Sequence, residues 1–152
     1  MQYWNKYNQE INSVVERTDY LYEKWAKQHG INSYVMQVMY MIYASGIHKQ
    51  KDIVENYGMP KQTVNTVITD LQKKGYIQLM PDENDKRSKI IILTDEGIKY
   101  AENIVTPLLN CEKEILAEMG KERVEMLIST MNQYAELLEQ RINKSDKKNK
   151  EK

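Results

Sequence analysis

The sequence predicts a mainly α-helical fold with one small β-hairpin, and three observations support this prediction. Both ends of the 152-residue chain repeat apolar residues at alternating steps of three and four, the spacing of amphipathic helices. Two short helical segments meet at Gly58 in the middle of the chain. Directly after them, two apolar runs flank a polar loop, a pattern typical of a β-hairpin.

A chain of this length has room for one domain, and we expect a single domain over 1–152 with four consecutive parts. Residues 1–45 form N-terminal helices. Residues 46–94 form a helix-turn-helix and the hairpin, whose tip spans 81–89. Residues 95–143 form C-terminal helices, and residues 144–152 form a disordered basic tail because they lack apolar periodicity.

Composition excludes several classes of protein. Uninterrupted apolar runs reach only about four residues, whereas a membrane-spanning helix needs about 20. The first residues show no basic-then-apolar signal pattern, which predicts a cytoplasmic protein without a membrane partner. The single cysteine, Cys111, excludes an intrachain disulfide, and two isolated histidines, His29 and His48, do not indicate a metal site. We therefore expect neither a metal nor another cofactor.

The distribution of charge is more informative than its total. Lys and Arg number 22 and Asp and Glu number 22, so the formal net charge is zero, which by itself argues against nucleic-acid binding. By segment, however, residues 46–94 carry net +2, residues 95–140 net −6 and residues 141–152 net +4. The middle of the chain and its tail are therefore basic, and an acidic region separates them.

Both terminal helices carry apolar stripes that one chain is too short to cover. The first helix is predicted from about residue 3 to Gln28, ahead of His29-Gly30, and at 1.5 Å per residue it is roughly 40 Å long. Association with a second copy buries both stripes, and an intramolecular helical hairpin is the alternative. The stripes comprise Trp4, Tyr7, Ile11, Val14, Thr18, Leu21 and Trp25 at one end, and Val124, Ile128, Met131, Ala135, Leu138 and Ile142 at the other.

The segment after the first helix predicts a buried helix at the centre of the fold. Asn32 or Ser33 supplies its N-cap, and the following residues are apolar on nearly all sides. A helix without a polar face packs inside the protein. We interpret its methionines as core packing rather than as an adaptable binding surface.

A helix-turn-helix follows this buried helix. Its first helix directs Ile53 and Val54 inward, and its second helix runs from Pro60 or Lys61 to Lys74. One face of the second helix is apolar, and the other carries short amide and hydroxyl side chains that suit base edges in a major groove. The inward residues are Val64, Ile68 and Leu71, and the polar face comprises Lys61, Gln62, Asn65, Thr66, Thr69 and Lys73.

A β-hairpin with a basic tip follows directly, and this order of elements defines a winged helix. The strands are predicted over 76–80 and 89–94. Arg87 at the tip suits a narrow minor groove, and Asp85 is placed to hold its guanidinium group in a bidentate pair. A hairpin tip that is merely soluble is the alternative for these residues and for Asp82.

This arrangement resembles the MarR-type (multiple antibiotic resistance regulator) winged-helix transcription factors over essentially the whole chain. Asp82-Glu83-Asn84-Asp85-Lys86-Arg87 followed by Leu93-Thr94-Asp95-Glu96-Gly97 is similar to the family's D-x-x-D-x-R wing and L-T-x-x-G. Residues 62–65 and 71–77 resemble the start and the end of its recognition helix. The resemblance implies a homodimer that binds a pseudo-palindromic operator in double-stranded DNA, usually represses nearby genes and often releases DNA when a small ligand binds.

Two positions depart from the family's pattern. Pro60 stands where the family commonly has a capping Ser, so that hydroxyl contact is lost, although proline suits a first helical turn. Val54 replaces the small residue usual in the first helix of the motif, which predicts slightly altered packing without loss of function.

We therefore expect a DNA-binding surface and a candidate pocket for a small-molecule effector. The DNA-binding residues are Lys61, Gln62, Thr63, Asn65, Thr66, Lys73, Lys86, Arg87 and Lys89, with Asp82 and Asp85 supporting the wing. The candidate effector pocket comprises Trp25, Tyr34, Tyr40 and Tyr43, which are core residues in the alternative interpretation.

The helix after the hairpin is predicted to begin at Thr94 or Asp95, and Pro107 is expected to kink it. Cys111 lies on the apolar stripe of this helix, which predicts a buried packing role rather than redox sensing. The chain contains no nucleophile elbow, glycine-rich phosphate loop or paired carboxylate set, so an enzyme is not expected. The alternatives to a DNA-binding regulator are a winged helix that contacts proteins and a small-molecule carrier.

Overall fold

The described residues form six helices and two strands, and the predicted fold class is confirmed. The computed structural model describes residues 2–83 and 88–150, apart from the side chains of Gln2, Asn56 and residues 145–150. The elements are α1 (Gln2–Gln28), α2 (Ser33–Tyr43), α3 (Gln50–Tyr57), α4 (Lys61–Lys73), β1 (Ile77–Pro81), β2 (Lys89–Leu93), α5 (Asp95–Met119) and α6 (Lys121–Lys150). Across these ranges, no helix is both long enough and apolar enough to cross a membrane, and no three metal-binding side chains are grouped as ligands.

The chain divides into two compact units, residues 1–107 and residues 108–152. The boundary falls at Pro107, inside α5. Because proline has no backbone N–H, the helical hydrogen bond to the carbonyl of Asn103 is missing there. The first unit contains the helix-turn-helix and the hairpin, and the second contains the remainder of α5 together with α6.

Helix α2 lies at the centre of the first unit, as the sequence predicts. Asn32 is its N-cap: the side-chain Oδ1 accepts hydrogen bonds from the N–H groups of Tyr34 (3.0 Å) and Val35 (3.2 Å). The helix packs against α1 and α4. Each apolar side chain buried in this way contributes about 1.5–3 kcal/mol to stability. The buried residues of α2 are Met36, Val38, Met39, Met41 and Ile42.

Helix α1 has the predicted bounds, and most of its surface is exposed. Gly30 follows the helix in the left-handed backbone conformation (φ 69°), which ends it. Ala26, near the C-terminal end, is buried, whereas the apolar stripe further upstream is 71% exposed at Trp4 and 65% exposed at Val14. The described single chain therefore leaves this stripe uncovered.

Thr94 joins the start of α5 to the end of α4. Its Oγ1 donates to the Gly75 carbonyl (2.6 Å) and accepts from the Gly97 N–H (3.0 Å), which makes it the N-cap. The Thr94 N–H donates to the Tyr76 carbonyl (3.1 Å). At Gly97 the helix comes so close that an added Cβ would lie 1.8 Å from the Tyr76 oxygen. The threonine and the glycine of the L-T-x-x-G sequence therefore hold the start of α5 against the two residues that precede β1.

An aromatic pair adds to the same junction. The rings of Tyr76 and Tyr100 stack with an interplanar angle of 6° and a centroid distance of 4.3 Å. Burial, and after it the neighbouring Tyr76, raises the pKa of the Tyr100 phenol above its ordinary value. The stacked pair is thus partly removed from water at the junction of α5 with the segment before β1.

Helix α6 begins where the sequence predicts and extends further than predicted. Gly120, in the left-handed conformation (φ 80°), separates it from α5. The prediction of a disordered tail from residue 144 differs from the structure, in which α6 continues to Lys150. Lysine is a good helix former, and its charge interacts favourably with the C-terminal end of the helix dipole. Residues 151 and 152 lie outside the described residues.

Cys111 is exposed in the single chain, so the prediction that it is buried differs from the structure of one chain. Ile115, one turn further along the same stripe, is 51% exposed. Beyond Leu108, which is buried, most large apolar side chains of the second unit are exposed, because the stripes of its helices find little apolar cover among the described residues. Those exposed on α6 are Met126, Leu127, Ile128, Met131, Tyr134, Leu137, Leu138 and Ile142.

Candidate nucleic-acid interface

Helices α3 and α4 form the predicted helix-turn-helix. Gly58 ends α3 in the left-handed conformation (φ 64°), and its N–H donates to the Val54 carbonyl (3.0 Å). Met59 is buried at the turn, and Ile53 of α3 is fully buried in the core of the unit. The inward position predicted for Val54 is only partly correct, because this side chain is half-buried and lines an open groove.

The ends of α4 are defined by backbone geometry. Pro60 is the N-cap, with an extended backbone (ψ 130°) and no side-chain hydrogen bond to the first turn, so it lies just outside the helical turn that we expected it to enter. At the other end, the Gly75 N–H donates to the Gln72 carbonyl and the Tyr76 N–H to the Leu71 carbonyl, each at 3.0 Å. These two bonds form a Schellman motif, which explains the predicted glycine.

The outer face of α4 is polar and exposed. The side chains of Gln62, Thr66, Thr69 and Lys73 recur every three or four residues and therefore share this face. The Thr66 hydroxyl donates to the Gln62 carbonyl (3.0 Å), and the Thr69 hydroxyl donates to the Asn65 carbonyl (2.8 Å). Both threonine hydroxyls therefore donate their proton within the helix and keep lone pairs that can accept a further hydrogen bond.

Thr63 and Asn65 lie at opposite edges of the outer face. Both side chains are half-buried, and two positions along a helix correspond to a rotation of about 200°. Of the residues predicted to read bases, Gln62 and Thr66 therefore lie at the centre of the face, and Thr63 and Asn65 flank it.

The edge that carries Asn65 borders an open groove between α3, α4 and the hairpin. The groove has a volume of about 630 Å³. It brings together Lys61 and Lys89, which were predicted from separate segments, and adds Lys51, whose Nζ lies 3.7 Å from Glu55. Sequence reasoning missed Lys51 because its place depends on how α3 crosses the hairpin. The groove is lined by Gln50, Lys51, Val54, Glu55, Lys61, Asn65, Leu79, Ser88 and Lys89.

The hairpin is extended by a short third segment. Strands β1 and β2 pair in antiparallel register along their length. On the other side of β2, Lys49 forms an antiparallel bridge with Ile90, and the Ile91 N–H donates to the His48 carbonyl (2.7 Å). A two-stranded hairpin is marginally stable alone, so these contacts from the residues before α3 support it.

Asp82, which we expected to support the wing, is buried at the base of the hairpin tip. It is 3% exposed, and its Oδ2 lies 2.5 Å from Nζ of Lys49. The Asp82 N–H donates to the Ser88 carbonyl (3.2 Å). Sequence reasoning missed Lys49 because no helix or hairpin spacing relates it to a residue so far along the chain. The predicted tip residues that lie outside the described residues are Asp85, Lys86 and Arg87.

The four aromatic residues of the predicted effector pocket do not share one face. Tyr34 and Tyr43 are nine positions apart on α2, about two and a half turns, so they point to opposite sides. Tyr34 is exposed, while Tyr40 and Tyr43 are half-buried. Trp25 stacks on His29, with ring centroids 3.8 Å apart. The structure therefore separates Tyr34 from Tyr43 and pairs Trp25 with a histidine at the end of its own helix.

A helix-turn-helix with an exposed polar second helix and an adjoining hairpin defines a winged-helix DNA-binding protein. A sequence profile of the MarR family matches residues 31–89. YwoH, an uncharacterised HTH-type transcriptional regulator of Bacillus subtilis, is 33% identical over 93 residues, which are 61% of this chain and 67% of that protein. The chain belongs to the MarR family of transcriptional regulators.

Several solved structures share the fold of this chain. NMB1585, a MarR family regulator from Neisseria meningitidis, has a TM-score of 0.79 and 28% identity, over 95% of this chain and 99% of that chain. The Staphylococcus aureus MepR–DNA complex (TM-score 0.62, 21% identity, 87% and 97% covered) and NadR in complex with 4-hydroxyphenylacetate (0.69, 20%, 84% and 91%) share the fold alone. Other Bacillus subtilis regulators match over 51–59% of their own length.

Proposed function

We propose that the protein is a homodimeric repressor that binds a pseudo-palindromic operator and is modulated by a small molecule. The observation that carries the proposal is the outer face of α4, where Gln62, Thr66 and Thr69 are exposed and make no contribution to the core. Amide groups pair with adenine edges, and threonine methyl groups contact thymine in a major groove. We assign base reading to Gln62, Thr63, Asn65 and Thr66, phosphate contacts to Lys61, Lys73 and Lys89, and minor-groove contacts to Lys86 and Arg87.

An electrophoretic shift with the DNA upstream of the protein's own gene tests this function. We expect retarded complexes with that duplex at concentrations that leave a shuffled duplex of equal length and composition free. The titration is repeated over a range of salt, because phosphate contacts make the logarithm of the affinity fall linearly with the logarithm of salt concentration. Equal binding to both duplexes contradicts sequence-specific recognition.

Gln62→Ala is expected to weaken operator binding by about 1–3 kcal/mol and to relax discrimination at one base pair in each half-site. Gln62 lies at the centre of the outer face, in the first turn of α4, and recognition helices contact bases with their N-terminal residues. The measurement is the affinity for a panel of single-base operator variants. Gln72→Ala, an exposed amide near the other end of α4, is the matched control. Equal weakening across the whole panel contradicts base reading by Gln62.

Arg87→Ala is expected to weaken binding and to lower the slope of log affinity against log salt by about one unit. An arginine side chain in a narrow minor groove neutralises phosphate charge there, and alanine cannot. Lys6→Ala, an exposed lysine of α1, removes the same charge elsewhere and serves as the control. A slope unchanged by Arg87→Ala removes this residue from the interface.

The apolar stripes of α1 and α6 support the proposed homodimer. On α1 the exposed residues include Trp4, Ile11 and Val14 at coiled-coil spacing, and α6 exposes Met131 and Leu138 at the same spacing. Large exposed apolar patches on a soluble protein mark interaction surfaces. The net −6 of residues 95–140 disfavours phosphate, so it supports an orientation in which this region faces away from DNA.

A small molecule modulates DNA binding in the proposed function. The support for this modulation is the MarR family membership and the fold shared with NadR, a protein solved with 4-hydroxyphenylacetate. That aromatic acid is therefore the first compound to test, by titration calorimetry and by operator affinity in its presence. A compound that binds without changing operator affinity is not an effector, because a ligand shifts an equilibrium only by its differential affinity for the two states.

A further inference from the structure

The ion pair between Lys49 and Asp82 connects two segments that base reading and phosphate contacts do not involve. The Asp82 side chain is 2% exposed and the Lys49 side chain 39%, with 2.5 Å between Oδ2 and Nζ. Backbone contacts fix both partners, since Lys49 pairs with Ile90 and the Asp82 N–H donates to the Ser88 carbonyl. The side-chain contact therefore spans β2 and joins the residue before α3 to the end of β1.

Lys49 lies where the ion pair can affect the helix-turn-helix as well as the hairpin. Lys49 is the N-cap of α3, in an extended conformation (φ −124°, ψ 136°), and α3 packs against α4 and β2. Asp82 directly follows Pro81, the last residue of β1, at the end of the hairpin that carries the tip. The ion pair thus lies at the junction between the hairpin and the helix-turn-helix.

A contribution to the free energy of unfolding does not by itself explain why Asp82 is buried. Removing a carboxylate from water is unfavourable, and a well-packed apolar pair of similar volume is often as stable as a buried ion pair. A charged pair at short distance, however, fixes one geometry between two segments, because breaking it leaves a buried charge without its partner.

We propose that Lys49 and Asp82 are positioning residues that set the angle of the wing relative to α4 and thereby the affinity for DNA. The proposal rests on the proposed contact of the wing with DNA. The ion pair acts through the hairpin and does not itself touch a base or a phosphate.

An effect of charge alone and a positioning effect predict opposite changes in the operator affinity of Asp82→Asn. Removing a negative charge from a DNA-binding surface strengthens binding if charge alone matters. Positioning predicts that Asp82→Asn lowers operator affinity about tenfold, a change of 1.4 kcal/mol. Glu83→Gln is the matched control, since this exposed neighbour carries the same charge and its removal is expected to leave affinity unchanged or slightly higher.

The full-length variants Asp82→Asn, Lys49→Met, the double variant and Lys49→Arg complete the experiment. The double variant is expected to lose no more affinity than either single variant, because residues that act through one contact are not additive. Lys49→Arg keeps the charge and is expected to bind within about twofold of the unchanged protein. Lys49→Met also keeps the test valid if Asp82→Asn fails to fold, since Lys49 is partly exposed.

Amide hydrogen exchange measured without DNA tests whether the ion pair holds the wing in place, independently of any contact between the wing and DNA. The Ile91 and Asp82 amides, bonded to His48 and Ser88, are expected to exchange faster in Lys49→Met than in the unchanged protein or in Glu83→Gln. The proposal is overturned if the two amides exchange at the same rate in Lys49→Met as in the unchanged protein. It is also overturned if the affinity losses of the single variants add in the double variant, or if Asp82→Asn binds the operator as tightly as the unchanged protein. If Asp82→Asn weakens binding while Arg87→Ala leaves the salt slope unchanged, the proposed DNA contact of Arg87 fails, and with it the proposal that the ion pair acts through the wing, although specific operator binding by α4 stands.

Discussion

Gly97→Ala is expected to destabilise the folded protein by about 3 kcal/mol, the upper range for overpacking. A loss of stability would distinguish this site from an ordinary helical position, because alanine normally stabilises a helix interior relative to glycine by roughly 1 kcal/mol. Here the new Cβ would lie 1.8 Å from the backbone oxygen of Tyr76, which no side-chain rotation relieves. Helix α5 must move away, and the hydrogen bonds of Thr94 to Gly75 and Gly97 are lost.

The measurement for Gly97→Ala is the free energy of unfolding from urea titration, with the slope compared between variants. Asn103→Ala changes an exposed residue of the same helix and is expected to leave the midpoint nearly unchanged. A midpoint for Gly97→Ala at or above that of the unchanged protein contradicts the close approach of α5 to Tyr76.

Val14→Glu is expected to dissociate the proposed homodimer and to lower operator affinity at least about a hundredfold, because two linked half-site contacts become independent. Val14 is 65% exposed in the single chain, so glutamate there leaves the core of each chain intact. In a dimer that buries the stripe, the same carboxylate loses its hydration without gaining a partner. Sedimentation equilibrium and operator titration measure the two effects.

Asn12→Glu is the matched control for Val14→Glu, since it adds the same charge to an exposed position of α1 outside the stripe. We expect this control to remain a dimer with unchanged operator affinity. A Val14→Glu protein that is still a dimer excludes the α1 stripe from the interface. Leu138→Glu then tests the stripe of α6 in the same way.

The parts of the fold that depend on local spacing were predictable from the sequence. The cap at Asn32 follows from the short-range bonds of its own side chain. The end of α4 follows from Gly75, because its left-handed backbone (φ 75°) suits glycine. The central position of Gln62 on the outer face follows from helical periodicity, which needs no knowledge of the rest of the molecule.

The remaining features depend on contacts between distant segments, which spacing does not encode. The partner of Asp82 is Lys49 because residues before α3 add to the edge of β2. Gly97 is required by the approach of α5 to Tyr76, which no helical pattern predicts. Cys111 illustrates a different reason: an apolar stripe identifies a face to be covered without indicating whether the cover comes from the same chain.

The outer face of α4 has an evolutionary consequence. Gln62, Thr66 and Thr69 are exposed, and the hydroxyl groups of the two threonines donate to carbonyls of their own helix. On the opposite side of the helix, Val64 and Ile68 are buried in the core. Substitutions on the outer face therefore leave folding nearly unchanged. After gene duplication, one copy can drift to a new operator in a few mutational steps, and selection acts on the genes it controls without first having to rescue the protein.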